Sequence, residues 1–142
     1  MDLQFVIARL KAQLPTIRQL GGVADLDAAI NGSVSVPAVF VMPQAEGAEL
    51  TAPMTGVVRQ SFTPSWGVIQ VISNRRDAAG ASALTELAPL RQAVRQALVG
   101  WVPDATTGEP VYATGGRLLR MDGDGRLWWI DTFETKTYFR SN

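Results

Sequence analysis

The sequence predicts a single α/β domain of the α+β kind, and three features carry that prediction. Two stretches repeat apolar residues at helical spacing. Two shorter stretches are apolar throughout over strand length, and an Asp-Gly turn near the C-terminus separates two extended runs. With 142 residues and no shift in composition along the chain, one domain spanning 1–142 is expected. Hydrophobic residues make up 46%, enough for a real core and too many for a disordered chain.

In chain order, Leu3, Val6, Ile7, Leu10 and Leu14 fall on one face of a helix, with Asp2 placed to cap it and Pro15 to end it. Asp25 to Ile30 reads as a short helix closed by Asn31-Gly32. Val36 to Met42 is rich in β-branched residues and carries Pro37 near its start, as expected of a strand buried on both faces. Pro43 to Thr55 follows, with Glu46, Glu49, two prolines and no sustained period. It reads as a long loop, either an interaction loop or surface slack.

Gly56 to Ser73 is a second strand region, interrupted at Thr63-Pro64, and its later half from Trp66 to Ile72 suits a central strand. Residues 74–80 form a polar connection. From Ser82 a helix is expected with Leu84, Leu87, Leu90, Val94, Ala97 and Leu98 on one broad face, and Arg91 and Arg95 on the other. Pro89 either kinks it or opens its main portion, and Gly100 closes it.

The C-terminal stretch predicts a β-hairpin arm. Arg117 to Met121 forms one strand, Asp122 to Gly125 the turn, and Arg126 to Arg140 an extended second arm. Fifteen such residues reach about 50 Å. A compact domain of this size has a radius of gyration of about 14 Å, hence a diameter of about 37 Å. No glycine or proline lies between Arg126 and Asn142 to ease a sharp bend. The arm is therefore expected to project or to coil at the sheet edge, and a projecting arm offers a sheet edge to a neighbouring chain. Truncation after Asp131 should then abolish assembly and leave a soluble monomer.

The composition excludes several chemistries. There is no cysteine and no histidine, which removes disulfides, thiolate nucleophiles, the commonest general base and the commonest metal ligand. Asp122-Gly-Asp124-Gly resembles the start of a calcium loop, but Arg126 and Phe133 occupy positions that should hold ligands. Asp131 and Glu134, three apart on a strand, point to opposite faces and cannot share a substrate. Lys11 and Lys136 are the only lysines and neither lies in a Ser-x-x-Lys spacing, while Gly115-Gly116 has no phosphate-loop spacing. No catalytic residue, metal site or cofactor is predicted. The balance of 13 basic and 13 acidic residues gives no electrostatic pull toward nucleic acid. Neither a signal peptide nor an apolar run of about 20 residues is seen, so a soluble, cytoplasmic chain is expected.

Arginine outnumbers lysine 11 to 2, which fits either an interface or compositional bias. Trp66 is expected in the core. Trp128 and Trp129 must face opposite ways, one toward the core and the other toward a possible interface.

The helix exit Leu-Val-Gly-Trp-Val-Pro (98–103) and the arm Leu-Trp-Trp-Ile-Asp-Thr-Phe-Glu-Thr (127–135) complete this layout. Together they resemble the tail terminator proteins of long-tailed bacteriophages over essentially the whole chain. The resemblance implies a mixed or mainly antiparallel sheet with helices packed on it, and a structural virion protein without enzymatic activity. It further implies a homo-oligomeric ring, usually a hexamer, at the head-proximal end of the tail, assembled in the host cytoplasm. The ring would end growth of the tail tube protein and present the surface to which the head-tail connector or neck joins. DNA would pass through its lumen without specific binding, and no membrane is involved. Carried over by position, Asp131, Phe133, Thr135, Lys136, Tyr138 and Arg140 are the candidate subunit interface. Glu46, Glu49 and Met54 are the candidate contact with tube or neck. A neck or head-completion protein of the same virion is the alternative.

Overall fold

In the computed structural model of the chain, the described residues are 1–54, 56–73, 81–123 and 125–141, with only the backbone described for 51–54 and 81–83. In order the elements are α1 (Gln4–Gln13), β1 (Gln19–Gly21), α2 (Val23–Asn31), β2 (Ala38–Met54) and β3 (Val57–Ser73), then α3 (Ala81–Leu98), β4 (Tyr112–Asp122), β5 (Arg126–Glu134) and β6 (Thr137–Arg140). The fold is α+β. One mixed sheet runs β1-β2-β3-β5-β4, with β6 paired to the distal half of β3. β1 lies parallel to β2, and the other pairings described are antiparallel.

Strand alternation divides the core into two layers. On one face Val39, Val41, Trp66, Val68 and Phe133 meet Val6, Ile7 and Leu10 of α1 and Val94, Ala97 and Leu98 of α3. On the other, Phe40, Ile69, Val71, Trp128 and Ile130 meet Leu26 and Ala29 of α2. The central strands are apolar on both parities because both of their faces are covered. Trp66 is fully buried and stacks on Phe133 with ring centroids 6.4 Å apart.

Several expectations need correction. Asp2 does accept the Gln4 N–H at 2.8 Å, although the residue at the helix boundary is Leu3. α2 begins earlier than expected because Asp25 reaches back to accept the Gly22 N–H at 3.0 Å. In α3, Pro89 lies inside a continuous helix. Leu87, Val94, Ala97 and Leu98 are buried as expected and Leu90 packs against the core, but Leu84 is exposed and Arg91 turns toward the sheet. The Ser82 side chain, the connection 74–80 and Asp124 lie outside the description. β4 starts five residues before Arg117, because Gly115 and Gly116 are accommodated within the ladder.

The largest correction concerns Pro43 to Thr55. It is strand through Met54, paired along its length with β3, and Thr55 lies outside the described residues. Pairing overrides the poor strand propensity of its Pro, Gly and Glu residues. Pro43 marks a shift in register before Ala45, a place where a strand tolerates a missing N–H.

β3 is likewise unbroken through Thr63-Pro64. Its cost falls on the other side, where the C-terminal run is interrupted between Glu134 and Thr137. Ser65 pairs with Glu134 and Phe62 with Thr137, so both strands advance by three residues and nothing is inserted. The Thr135 N–H donates to the Pro64 carbonyl at 3.3 Å within this gap. The run from Arg126 to Arg140 thus keeps one register along β3, as two strands with a break opposite the proline. It does not project alone. β3 has 17 residues, about 56 Å of strand, and it is the β2–β3 hairpin that extends past the two core layers, with β6 laid beside it.

Candidate assembly surfaces

Three of the six interface candidates lie inside the fold. Asp131, Phe133 and Thr135 are all buried. Strand alternation points Asp131 and Phe133 at α1 and α3, so packing claims them before any neighbour can. Asp131 accepts a two-pronged pair from Arg91, with Nε 3.0 Å from Oδ2 and an Nη 2.9 Å from Oδ1, and Gln70 Nε2 donates to Oδ2 at 2.7 Å. The Arg91 guanidinium lies 4.4 Å from the Trp129 ring, whose indole N–H turns toward the same carboxylate without completing a hydrogen bond. Trp129 is therefore held as the half-exposed lid of a buried ion pair. Gly116, opposite on β4, leaves the room for this cluster, since a Cβ there would run into the Asp131 carboxylate.

Burial pushes the Asp131 carboxyl up, but hydrogen bonds from Arg91 and Gln70 outweigh it and hold the group below its ordinary value. A depressed carboxyl stabilises the fold at pH values above its unfolded pKa and loses that contribution as the pH falls through the folded value. The acid limb of a thermal-stability profile below about pH 4 should accordingly be flatter in Asp131→Asn than in the parent. Arg91→Met should cost about 2–3 kcal/mol in denaturant unfolding at neutral pH. That is less than a fully buried pair would lose, because Arg91 is 24% exposed.

Thr135 closes the break in the C-terminal strand. Its hydroxyl donates to the Pro110 carbonyl at 3.1 Å, tying the strand to the segment that enters β4.

The other three candidates line the outside. Lys136 borders a cleft of about 370 Å³ shared with Phe5, Asp2 and Thr106. Tyr138 is exposed and donates its hydroxyl to Glu109 at 2.6 Å, a bond to a carboxylate that raises the phenol above its ordinary pKa. Arg140 is exposed beside Phe139, which is itself 58% exposed. With Glu49, Arg59 and Gln60 these residues border a second concavity of about 400 Å³. Both hollows are open and collect aromatic and aliphatic groups next to charged ones. Among the described residues, no three acidic side chains gather as a metal site. No described helix is long and apolar enough to cross a membrane.

Glu46 and Glu49 are exposed on the distal half of β2, next to Leu50, which is 71% exposed. Met54 ends that strand, and its side chain lies outside the description. By alternation Ala48, Leu50, Phe62 and Phe139 share one face of the three-stranded arm, whereas Glu49, Ser61 and Tyr138 share the other. The apolar face continues the side of the sheet that α1 and α3 cover nearer the core. Here no described helix covers it. A row of exposed large hydrophobic residues on a soluble surface marks a contact site.

β4 was missed altogether as a surface. It is exposed over nearly its whole length, including Leu118 and Met121, and among the described residues only β5 pairs with it. The run Arg117-Leu-Leu-Arg-Met121 does not alternate, because a register shift between Leu118 and Arg120 breaks its parity, so the sequence carried little signal of this surface.

No curated protein matches the sequence significantly. The family model for phage tail terminator proteins matches residues 1–142, the entire chain. The α+β fold with its mixed sheet agrees with what the sequence motifs imply. The chain is accordingly a structural component of a phage tail and belongs to the phage tail terminator protein family.

Proposed function

We propose that copies of this chain close into a ring, a hexamer, which seats on the last ring of the tail tube. The ring stops tube growth and offers the head-tail connector its joining surface. The observation that carries this reading is the three-stranded arm of β2, β3 and β6, which reaches past both core layers and exposes Leu50 and Phe139. A monomer gains nothing from ordering such an arm in water, whereas a neighbouring subunit would bury it.

Lys136, Tyr138 and Arg140 are the proposed subunit contacts, replacing the full set of six. Asp131, Phe133 and Thr135 act indirectly, by fixing the strand that carries them. Of the three arm candidates, Glu46 and Met54 are proposed to meet tube or neck, whereas Glu49, on the opposite face of β2 from Glu46, is proposed to meet a neighbouring copy. Formal net charge is zero, which suits a lumen through which DNA passes without being held. The work is done by surfaces, with no substrate turned over, at the head-proximal end of a tail assembled in the host cytoplasm.

The reading is tested by polymerising tail tube protein with and without the purified chain. Added chain should shorten the tubes as its concentration rises and should be pulled down with them. Unchanged tube lengths, with pull-down by connector protein alone, would move the protein to the neck.

A further inference from the structure

The same sheet offers two long unpaired edges. On one side is the outer edge of β4, eleven residues long and without a proline or lysine to blunt it. On the other is β2 beyond its short contact with β1, residues 44–54, a stretch of comparable length. Among the described residues neither edge has a strand beside it. Each presents a row of backbone N–H and C=O groups in the plane of the sheet, a template for another strand.

We propose that β4 of one copy pairs edge to edge with the distal half of β2 of a second copy, continuing the sheet from subunit to subunit. This rests on the ring reading above and names its joint. Strand direction supports it. β2 and β5 are both antiparallel to β3 and so run the same way, while β4 is antiparallel to β5. Adding a second copy in the same sense therefore sets β4 against an antiparallel β2. Because the two edges differ, the joint is head-to-tail, and repeated contacts of that kind generate a ring when the rotation closes.

Charge identifies the occupant. Arg117 and Arg120 lie on one face of β4, on either side of an irregularity between Leu118 and Arg120. Following pairings across the sheet, Glu49 lies on that same face, since it pairs with Ser61 and Arg117 pairs with Ile130, itself opposite Ile69. A continued sheet brings the basic strand against the acidic one. The two-fold alternative, β4 against β4, would bring Arg117 and Arg120 of the two copies together, and like charges opposed on a sheet repel. The regular run from Gly115 to Leu118, between the two irregularities of β4, is where the ladder forms. Side chains leave a sheet above and below its plane, so Glu46, on the opposite face to Glu49, remains available to the tube.

The test compares the intact chain with Glu49→Arg, Arg117→Glu and the double exchange, measuring by native mass spectrometry the concentration at which rings form, alone and with tubes. Each single reversal should raise that concentration about fivefold, and the double should return it to within about twofold of the parent, with thermal melting unchanged in all four. In parallel, backbone amides of β4 and of residues 44–50 should gain hydrogen-exchange protection together when the parent assembles. Single reversals that assemble like the parent, a double no better than the singles, or new protection confined to α1 and β6 would each overturn the joint while leaving the ring intact. A parent that forms no ring under either condition overturns the ring reading, and this joint with it.

Discussion

Phe133→Ala is expected to lower the free energy of unfolding by about 3–5 kcal/mol, the range for emptying a large aromatic site in a packed core. Phe133 is fully buried, stacks on Trp66 and sits where β5 meets the layer built by α1 and α3. It also lies at the end of the straight run, just before the break opposite Pro64, so the cavity would loosen the strand that leads to β6. A loss of that size is a large fraction of the roughly 5–15 kcal/mol that holds a domain together. Urea unfolding followed by tryptophan fluorescence measures it. A cost below about 1 kcal/mol would mean that the Trp66–Phe133 stack is dispensable.

Removal of residues 137–142 is expected to have the largest effect on assembly. β6 contributes four paired residues, and Ser141 adds a backbone bond to Val58 at 2.8 Å. None of β6 belongs to a core layer. The truncated chain should therefore remain folded, losing about 1 kcal/mol, while ring formation disappears. Size-exclusion chromatography with light scattering reads both. Truncation after Asp131 is a different experiment. It removes Phe133 and Thr135, both buried, so unfolding is expected instead of the stable monomer that the extended-arm picture implied. Rings formed without β6 would show that the arm's third strand is only structural.

How much of this was legible in the sequence depended on whether local pattern and tertiary pairing agreed. The helical spacing of Val6, Ile7 and Leu10, the buried strand around Val68 and the Asp-Gly turn were readable because each is a local consequence of burial or backbone geometry. The strand from Pro43 to Met54 was not readable. Its residues are poor strand formers, and only the partner strand 57–64 makes them one, a relation no local window contains. The length argument was correct that the run from Arg126 to Arg140 does not fold back, since it keeps one register along β3, but it assumed a compact body. The sheet itself is elongated, so the arm has company.

The interface candidates divided along strand parity. Asp131 and Phe133 point inward with Trp129, whereas Tyr138 and Arg140 lie beyond the last helix, where even the inward face is open. Parity was visible in the sequence, but where the helices stop was not. Arg91 is the clearest missed residue. The sequence expectation set it on the solvent side with Arg95. Yet it lies four residues after Leu87 and three before Val94, at the border of the buried stripe, where Asp131 pairs with it. The whole-chain family match supplied the tail-terminator assignment, while the arm and the two long free edges are the surfaces proposed for assembly.

The central claim is that this chain works by closing into a ring at the end of a tail tube. Negative-stain micrographs of the purified chain, alone and mixed with tail tubes, test it most directly. Closed rings of uniform diameter, found at one end of each tube in the mixture, are predicted. Particles that stay monomeric at every concentration and leave both tube ends bare would contradict it.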